Sequence, residues 1–295
     1  YWLGKYDEGR QLFDELLESN QRSPQVLLSV ASMIRSVGRA QEARSLMEEA
    51  YESATDVSLR FSAAASRAAL NTGTDDQITW LERSNPEDDR IKAGLMAARG
   101  NVALQSGDAD AARQFYRDSI AAYNRMPSNP STLNNSGLVC FRLYGLTGGL
   151  ADFDEGLSRL EKAIELLPTD STIRKNTAEL LLSAVFNDTI KESFGEIQWS
   201  IIEATPSQRF VSLAYNDESE KDQLSAFVKS HRGMERAIGL LENVMLLAPK
   251  DSGNYITLAY LYDLTQNADG LSEDLAQVGG SLPGRLDDTL DYRRG

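Results

Sequence analysis

Apolar residues recur along this chain at steps of three and four, the spacing that lays them on one face of an α-helix. In "EGLSRLEKAIELLP" the residues Leu157, Leu160, Ala163, Ile164 and Leu167 form one stripe. In "ERAIGLLENVMLLAP" Ile238, Leu241, Met245 and Ala248 form another. Glycine and proline separate the stripes. Gly4, Gly38, Gly73 and Gly107 follow one another at intervals of 34, 35 and 34 residues, and periods of this length mark solenoids of stacked units. Pro24, Pro86, Pro127, Pro168, Pro206 and Pro249 fall just past apolar runs, where a residue lacking a backbone N–H ends a helix cheaply. Polar cappers follow, as in "PTDST" and "PKDSG", where Asp170 or Ser171 and Asp251 or Ser252 can accept the next helix's free N–H groups. Each period therefore predicts a helix, a glycine turn, a second helix, a proline and a new cap.

The period is uneven. "YGLTGGLADF" reads as an expanded turn, and Ile78 stands where other periods carry a small residue. Residues 184–235 fit poorly: "FGEIQWSIIEATP" suggests a second helix ending at Pro206, and "SQRFVSLAYNDESEKD" looks inserted after it. The predicted organisation is helical repeats over 1–183, a degenerate repeat with an insertion over 184–235, a C-terminal repeat over 236–278 and an irregular tail over 279–295. Gly4 reads as a turn glycine, so the first helix of the first pair is missing. Leu12, Phe13, Leu16 and Leu17 would then lack their natural cover, and the chain is expected to be a segment of a longer protein.

Charge and rare residues narrow the function classes. Of the 295 residues, Lys+Arg number 30 and Asp+Glu 44, a formal charge of −14. Such a surface repels phosphate backbones, so no nucleic-acid partner is expected. Cys140 and His231 are single residues of their kinds, which excludes an intrachain disulfide, a cysteine cluster and a multi-histidine metal site. Neither a cofactor nor a metal is predicted. Cys140 reads as a core residue of a packed helix face, and His231 as a surface residue near a helix C-terminus. Carboxylate-rich stretches read as solvated helix faces, and no nucleophile stands beside a base, so no enzyme is predicted. No apolar run reaches the roughly 20 residues a membrane span needs. The chain starts at Tyr1, which leaves the compartment open, the cytoplasm being favoured.

The repeats resemble the tetratricopeptide repeat (TPR) family. The residues that carry the resemblance are Gly100, Gly107 and Ala112 in "AARGNVALQSGDADAARQFYRDSIAAY", Gly156, Ala163 and Pro168 in the next pair, and the step from Ala237 to Pro249. The resemblance implies an all-α fold, a right-handed α-solenoid of antiparallel helix pairs. It also implies that the first helix of each pair lines a concave groove that takes a partner peptide or protein segment. Carried onto this sequence, the groove-lining set is Arg35, Arg60, Arg67, Asn101, Asn134, Asn135, Phe141, Arg142, Lys175 and Asn176. Ala63, Ala64, Ala97 and Ala98 would leave room for a peptide. The basic bias of that set predicts an acidic or carboxylate-bearing partner. Two other readings stay open: a spacer or assembly subunit that makes contact through its ends and the 184–235 insertion, and a regulatory domain of a longer enzyme.

Overall fold

Two turns of this chain repeat each other closely. Gly38 and Gly107 both take φ +82, a left-handed conformation in which a side chain would be strained. In each, two backbone N–H groups turn back onto the carbonyls of the preceding helix. Gly38 N and Arg39 N donate to Arg35 O and Ile34 O, and Gly107 N and Asp108 N donate to Leu104 O and Ala103 O. The helix end is satisfied within two residues, and the next helix starts at once. Asp108 then caps the helix that follows, its side chain accepting from Ala111 N at 3.0 Å.

The computed structural model describes residues 6–70, 73–85, 87–194, 225, 228–229, 231–249 and 252–265. Among them are twelve helices and no strand. The chain divides into two units, Tyr1–Met126 and Pro127–Gly295. The first contains α1 (Tyr6–Ser19), α2 (Pro24–Ser36), α3 (Ala40–Ser53), α4 (Val57–Ala68), α5 (Thr74–Glu82), α6 (Asp89–Gln105) and α7 (Ala109–Asn124). Here α2 pairs with α3, α4 with α5 and α6 with α7, and the first helices α2 and α4 also touch. Leu27, Val30, Ala31 and Ile34 of α2 pack on Ala43, Met47 and Ala50 of α3. Pro24 opens α2 at its first turn, where the missing N–H costs nothing.

The second unit contains α8 (Pro130–Thr147), α9 (Leu150–Leu166), α10 (Ser171–Phe194), α11 (Arg232–Leu247) and α12 (Ser252–Leu264). The stretch read as an expanded turn is instead an extra turn of helix. The α8 helix runs through Thr147, and only Gly148 and Gly149 separate it from α9. Thr147 fixes this turn, its hydroxyl donating to Asp152 Oδ2 at 2.8 Å and accepting from Gly149 N at 3.0 Å. Asp170 caps α10, accepting from Ile173 N at 3.0 Å.

The helix packed on α10 as its pair is α11. Ala178, Leu181, Leu182 and Val185 meet Met234, Ala237, Leu241 and Met245 in one core. The second helix read from "FGEIQWSIIEATP", the insertion "SQRFVSLAYNDESEKD", the tail 279–295 and Gly4 all lie outside the described residues, as do Pro86, Pro206 and Asp251.

Candidate functional site

In the second unit the chain assembles part of the expected set. Asn129 caps α8 by accepting from Thr132 N at 3.0 Å, which sets the helix's phase and places Asn134 and Asn135 one turn inside it. Asn176 leaves α10 and donates from Nδ2 to Asn134 Oδ1 at 2.8 Å. Asn134 Nδ2 in turn donates to Asn135 Oδ1 at 3.2 Å. The three amides thus form a row that joins two successive first helices. Asn134, Asn176, Arg142 and Lys175 are half-buried and Asn135 is exposed. At one end of the row Asn135 keeps its Nδ2 donors, and at the other Asn176 keeps its Oδ1 acceptor, neither engaged among the described residues.

Phe141 is not part of this surface. It is 9% exposed and packs with Tyr144, Leu160 and Leu180 between the helices. An aromatic ring loses more contact area than it gains by turning to water.

In the first unit the expected residues scatter into separate roles. Arg35 lies exposed on the last turn of α2. The Asn101 side-chain oxygen accepts from Tyr116 Oη at 2.8 Å, so it satisfies a buried phenol of α7. Arg67 is fully buried and leaves the groove set. Its Nε donates to Glu48 Oε1 at 2.7 Å, and its Nη1 and Nη2 donate to the two oxygens of Asp76 at 2.8 and 3.0 Å. Glu48 is shared with Arg44 at 3.0 Å. A buried guanidinium must be paired in this way, because its desolvation is otherwise uncompensated. Burial would push the Glu48 carboxyl up, but the hydrogen bonds from Arg67 and Arg44 together hold it below the usual carboxylate range. Ala63, Ala64 and Ala98 are buried as well, and Ala97 half-buried.

Arg60 is exposed, donates to Ala54 O at 2.7 Å, and stands with its guanidinium carbon 6.0 Å from the centre of the Tyr51 ring. Arg83 shares that ring at 5.8 Å and lies 4.6 Å from the Trp80 ring. Tyr51 and Trp80 meet edge to face, 5.3 Å apart at 88°. Sequence reasoning missed Tyr51, Trp80 and Arg83, since they sit on second helices or their ends and the resemblance directed attention to first helices.

The two rare residues have structural surroundings. Burial pushes the Cys140 thiol up to about 12, so it packs as a small apolar group. His231 stands between helical segments: it follows the helical residues 228–229, its backbone N donating to Val228 O at 3.2 Å, and as the N-cap of α11 its Nδ1 accepts from Gly233 N at 3.1 Å. Among the described residues no group of His, Cys, Asp and Glu is placed to hold a metal ion. No helix among them is long and apolar enough to cross a membrane.

Residues 3–58 match the tetratricopeptide repeat family model. No curated protein matches the chain in sequence. Among solved structures, a monomeric mutant of IFIT1 with Gppp-AAAA is 14% identical over 96% of this chain and 58% of that one, with a TM-score of 0.56. The human IFIT1 dimer with m7Gppp-AAAA is 14% identical over 94% of this chain and 57% of that one, with a TM-score of 0.55. This chain therefore spans less than two thirds of the length of either. YrrB, described as a TPR protein with an unusual peptide-binding site, is 14% identical over 95% of this chain and 97% of that one, with a TM-score of 0.37. At these identities the IFIT1 likeness shows a common helical-repeat fold and says nothing of ligands. With the family match over 3–58, the 34-residue spacing of the turn glycines and the paired helices, the described residues have a tetratricopeptide-repeat-like helical fold.

Proposed function

We propose that this chain is a non-enzymatic interaction scaffold that holds an extended segment of a partner protein against the first helices of its second unit. The fold is in general a protein-interaction scaffold, and the finer reading rests on one observation: the Asn134–Asn135–Asn176 row. Its unengaged ends are a donor on Asn135 and an acceptor on Asn176, the two groups that a peptide backbone can satisfy. The amides hold one another in place before any ligand arrives, so little side-chain entropy is lost on binding. Arg142 and Lys175 flank the row and favour a carboxylate-bearing segment. A polyphosphate chain is disfavoured because the protein as a whole carries −14. The two residues best suited to chemistry are both occupied, Cys140 by burial and His231 by capping.

The test is a partner-binding titration with the full chain. Asn176→Ala breaks the row, and Arg142→Glu reverses the flanking charge. Each should weaken the partner captured by the wild-type chain by about tenfold, roughly 1.4 kcal/mol, with helicity unchanged. Arg67 is not a suitable probe, because its substitution attacks the fold. Equal affinity in wild type and both variants would remove the row from the account.

A further inference from the structure

We propose a second binding site on the first unit, separate from the amide row: a ledge of Arg60 and Arg83 on the Tyr51–Trp80 ring pair that takes acidic side chains of a partner protein. In a chain with an excess of carboxylates, most arginines of this unit already hold one. Arg22 pairs with Glu49 at 2.6 Å, Arg99 with Glu82 at 2.8 Å, and Arg125 with Asp89. Arg60 and Arg83 do not. Among the described residues neither has a carboxylate within 4.0 Å, both are exposed, and both lean over the Tyr51 ring.

The rings explain why these two charges stay available. A guanidinium stacked on an aromatic face is held by the ring's quadrupole while its N–H edge still points outward. The platform itself is fixed from below. The Arg67 guanidinium lies 5.3 Å from the Trp80 ring centre, on the buried side, and is tied to Glu48 and Asp76. Arg60 gives Nη2 to Ala54 O and keeps its other N–H donors, so both guanidiniums are oriented before an anion arrives and little ordering is lost on binding.

The number of charges selects the ligand. Two guanidiniums suffice for a pair of carboxylates or one phosphorylated side chain. A nucleic acid strand held by charge typically needs about six to ten phosphate contacts, and the chain's −14 works against it.

The experiment uses the full chain and fluorescence anisotropy at about 50 mM salt, where surface attraction is only partly screened. The probes are a labelled glutamate-rich decapeptide, its phosphoserine counterpart, and an oligouridylate of equal charge. Both peptides should bind, and R60Q/R83Q should lose at least about tenfold. R10Q/R117Q, which removes two exposed arginines of the same unit, should change affinity less than about twofold. R83K, which keeps the charge and loses the planar fork, should fall between. The tighter of the two peptides identifies carboxylate or phosphate as the preferred group. Circular dichroism of each variant keeps folding separate from binding. The proposal is overturned if wild type binds neither peptide, if both double variants lose equally, or if oligouridylate binds as tightly. A fall in melting temperature of R60Q/R83Q without any peptide binding by wild type would mean that the arginines only roof the rings.

Discussion

In the first unit a whole arginine side chain is sealed among α3, α4 and α5, while in the second two glycines let α8 and α9 close on each other. Arg67 fills its space with a charge and recruits Glu48 and Asp76 to neutralise it. Gly137 and Gly156 leave their space empty of side chain: a Cβ on Gly137 would stand 2.8 Å from Leu160 Cγ, and one on Gly156 3.1 Å from Cys140 Cβ. One junction depends on electrostatic pairing, the other on shape. A solenoid needs only that neighbouring helices keep their spacing, and either kind of interaction can set it. The two fail differently, however, because unpaired charge and steric overlap respond to different perturbations.

Arg67→Gln should therefore produce the largest loss. It leaves two carboxylates beside a half-empty buried slot and removes the cation beneath Trp80. Breaking a buried ion pair costs about 3–5 kcal/mol. Glu48 and Asp76 are each about one-third exposed, which places the expected loss near the lower bound, about 3 kcal/mol. Urea unfolding of wild type and variant gives the number directly. A loss below about 1 kcal/mol would show that water readily replaces the guanidinium, and the contrast between the two junctions would then disappear.

Gly137→Ala tests the other junction. The new methyl meets Leu160 Cγ at 2.8 Å and Gly156 O at 3.3 Å, and Leu160 is fully buried. Overpacking of this kind costs about 1–3 kcal/mol, offset by about 1 kcal/mol of helix propensity gained over glycine. A net loss of about 1 kcal/mol, within a range of about 0–2, is expected. Gly38→Ala serves as a comparison of a different kind. It meets open space but sits at φ +82, so any loss there is backbone strain and not crowding. If Gly137→Ala were stabilising, close approach would not be what holds α8 to α9.

The contrast also explains what could be read in advance. Small residues at fixed intervals are a local, periodic signal, so the pairing of helices and the small residues Gly100 and Gly156 were legible before any coordinates, whereas the contact of Gly137 with Leu160 was not. Arg67 was singled out for the wrong reason. Its helix and phase were readable, but its partners lie 19 and 9 residues away on other helices, and nothing in a Glu or Asp on a helix face distinguishes a buried ion pair from a solvated one. Phe141 failed similarly, because the wheel position that faces a groove in one repeat faces the next helix in another. The amide row was legible as three asparagines on successive first helices, but not as a connected chain of hydrogen bonds. The glycine pair at 148–149 misled because helix continuation through "YGLT" depends on Thr147 reaching Asp152. The position of His231 after a helix was readable, but its capping of the next helix was not, because that depends on the geometry of Gly233 N.

Acidification gives the smallest effect and separates the two junctions without mutation. The carboxyls of Glu48 and Glu49 are held below the usual range; for Glu49 the leading cause is the Arg22 hydrogen bond. A carboxyl depressed in the folded state binds its proton more readily when unfolded. Its contribution is therefore complete above the unfolded value of about 4.3 and is lost as pH falls through the lower, folded value. The α3–α5 junction should weaken over that window. The α8–α9 junction, packed on Gly137, Gly156, Cys140 and Leu160, depends chiefly on shape, with Asp152 and Glu155 beside it and not in its packed contact, and should weaken less. The measurement is hydrogen exchange of α4 and α9 amides at about pH 5 and pH 3, corrected for intrinsic rates. Protection in α4 should fall more than protection in α9, and Arg67→Gln should abolish most of the difference, since Glu48 then has one partner fewer to lose. Equal losses of protection in the two helices, in wild type, would mean that the buried guanidinium adds no acid sensitivity to its junction, and shape alone would then account for both.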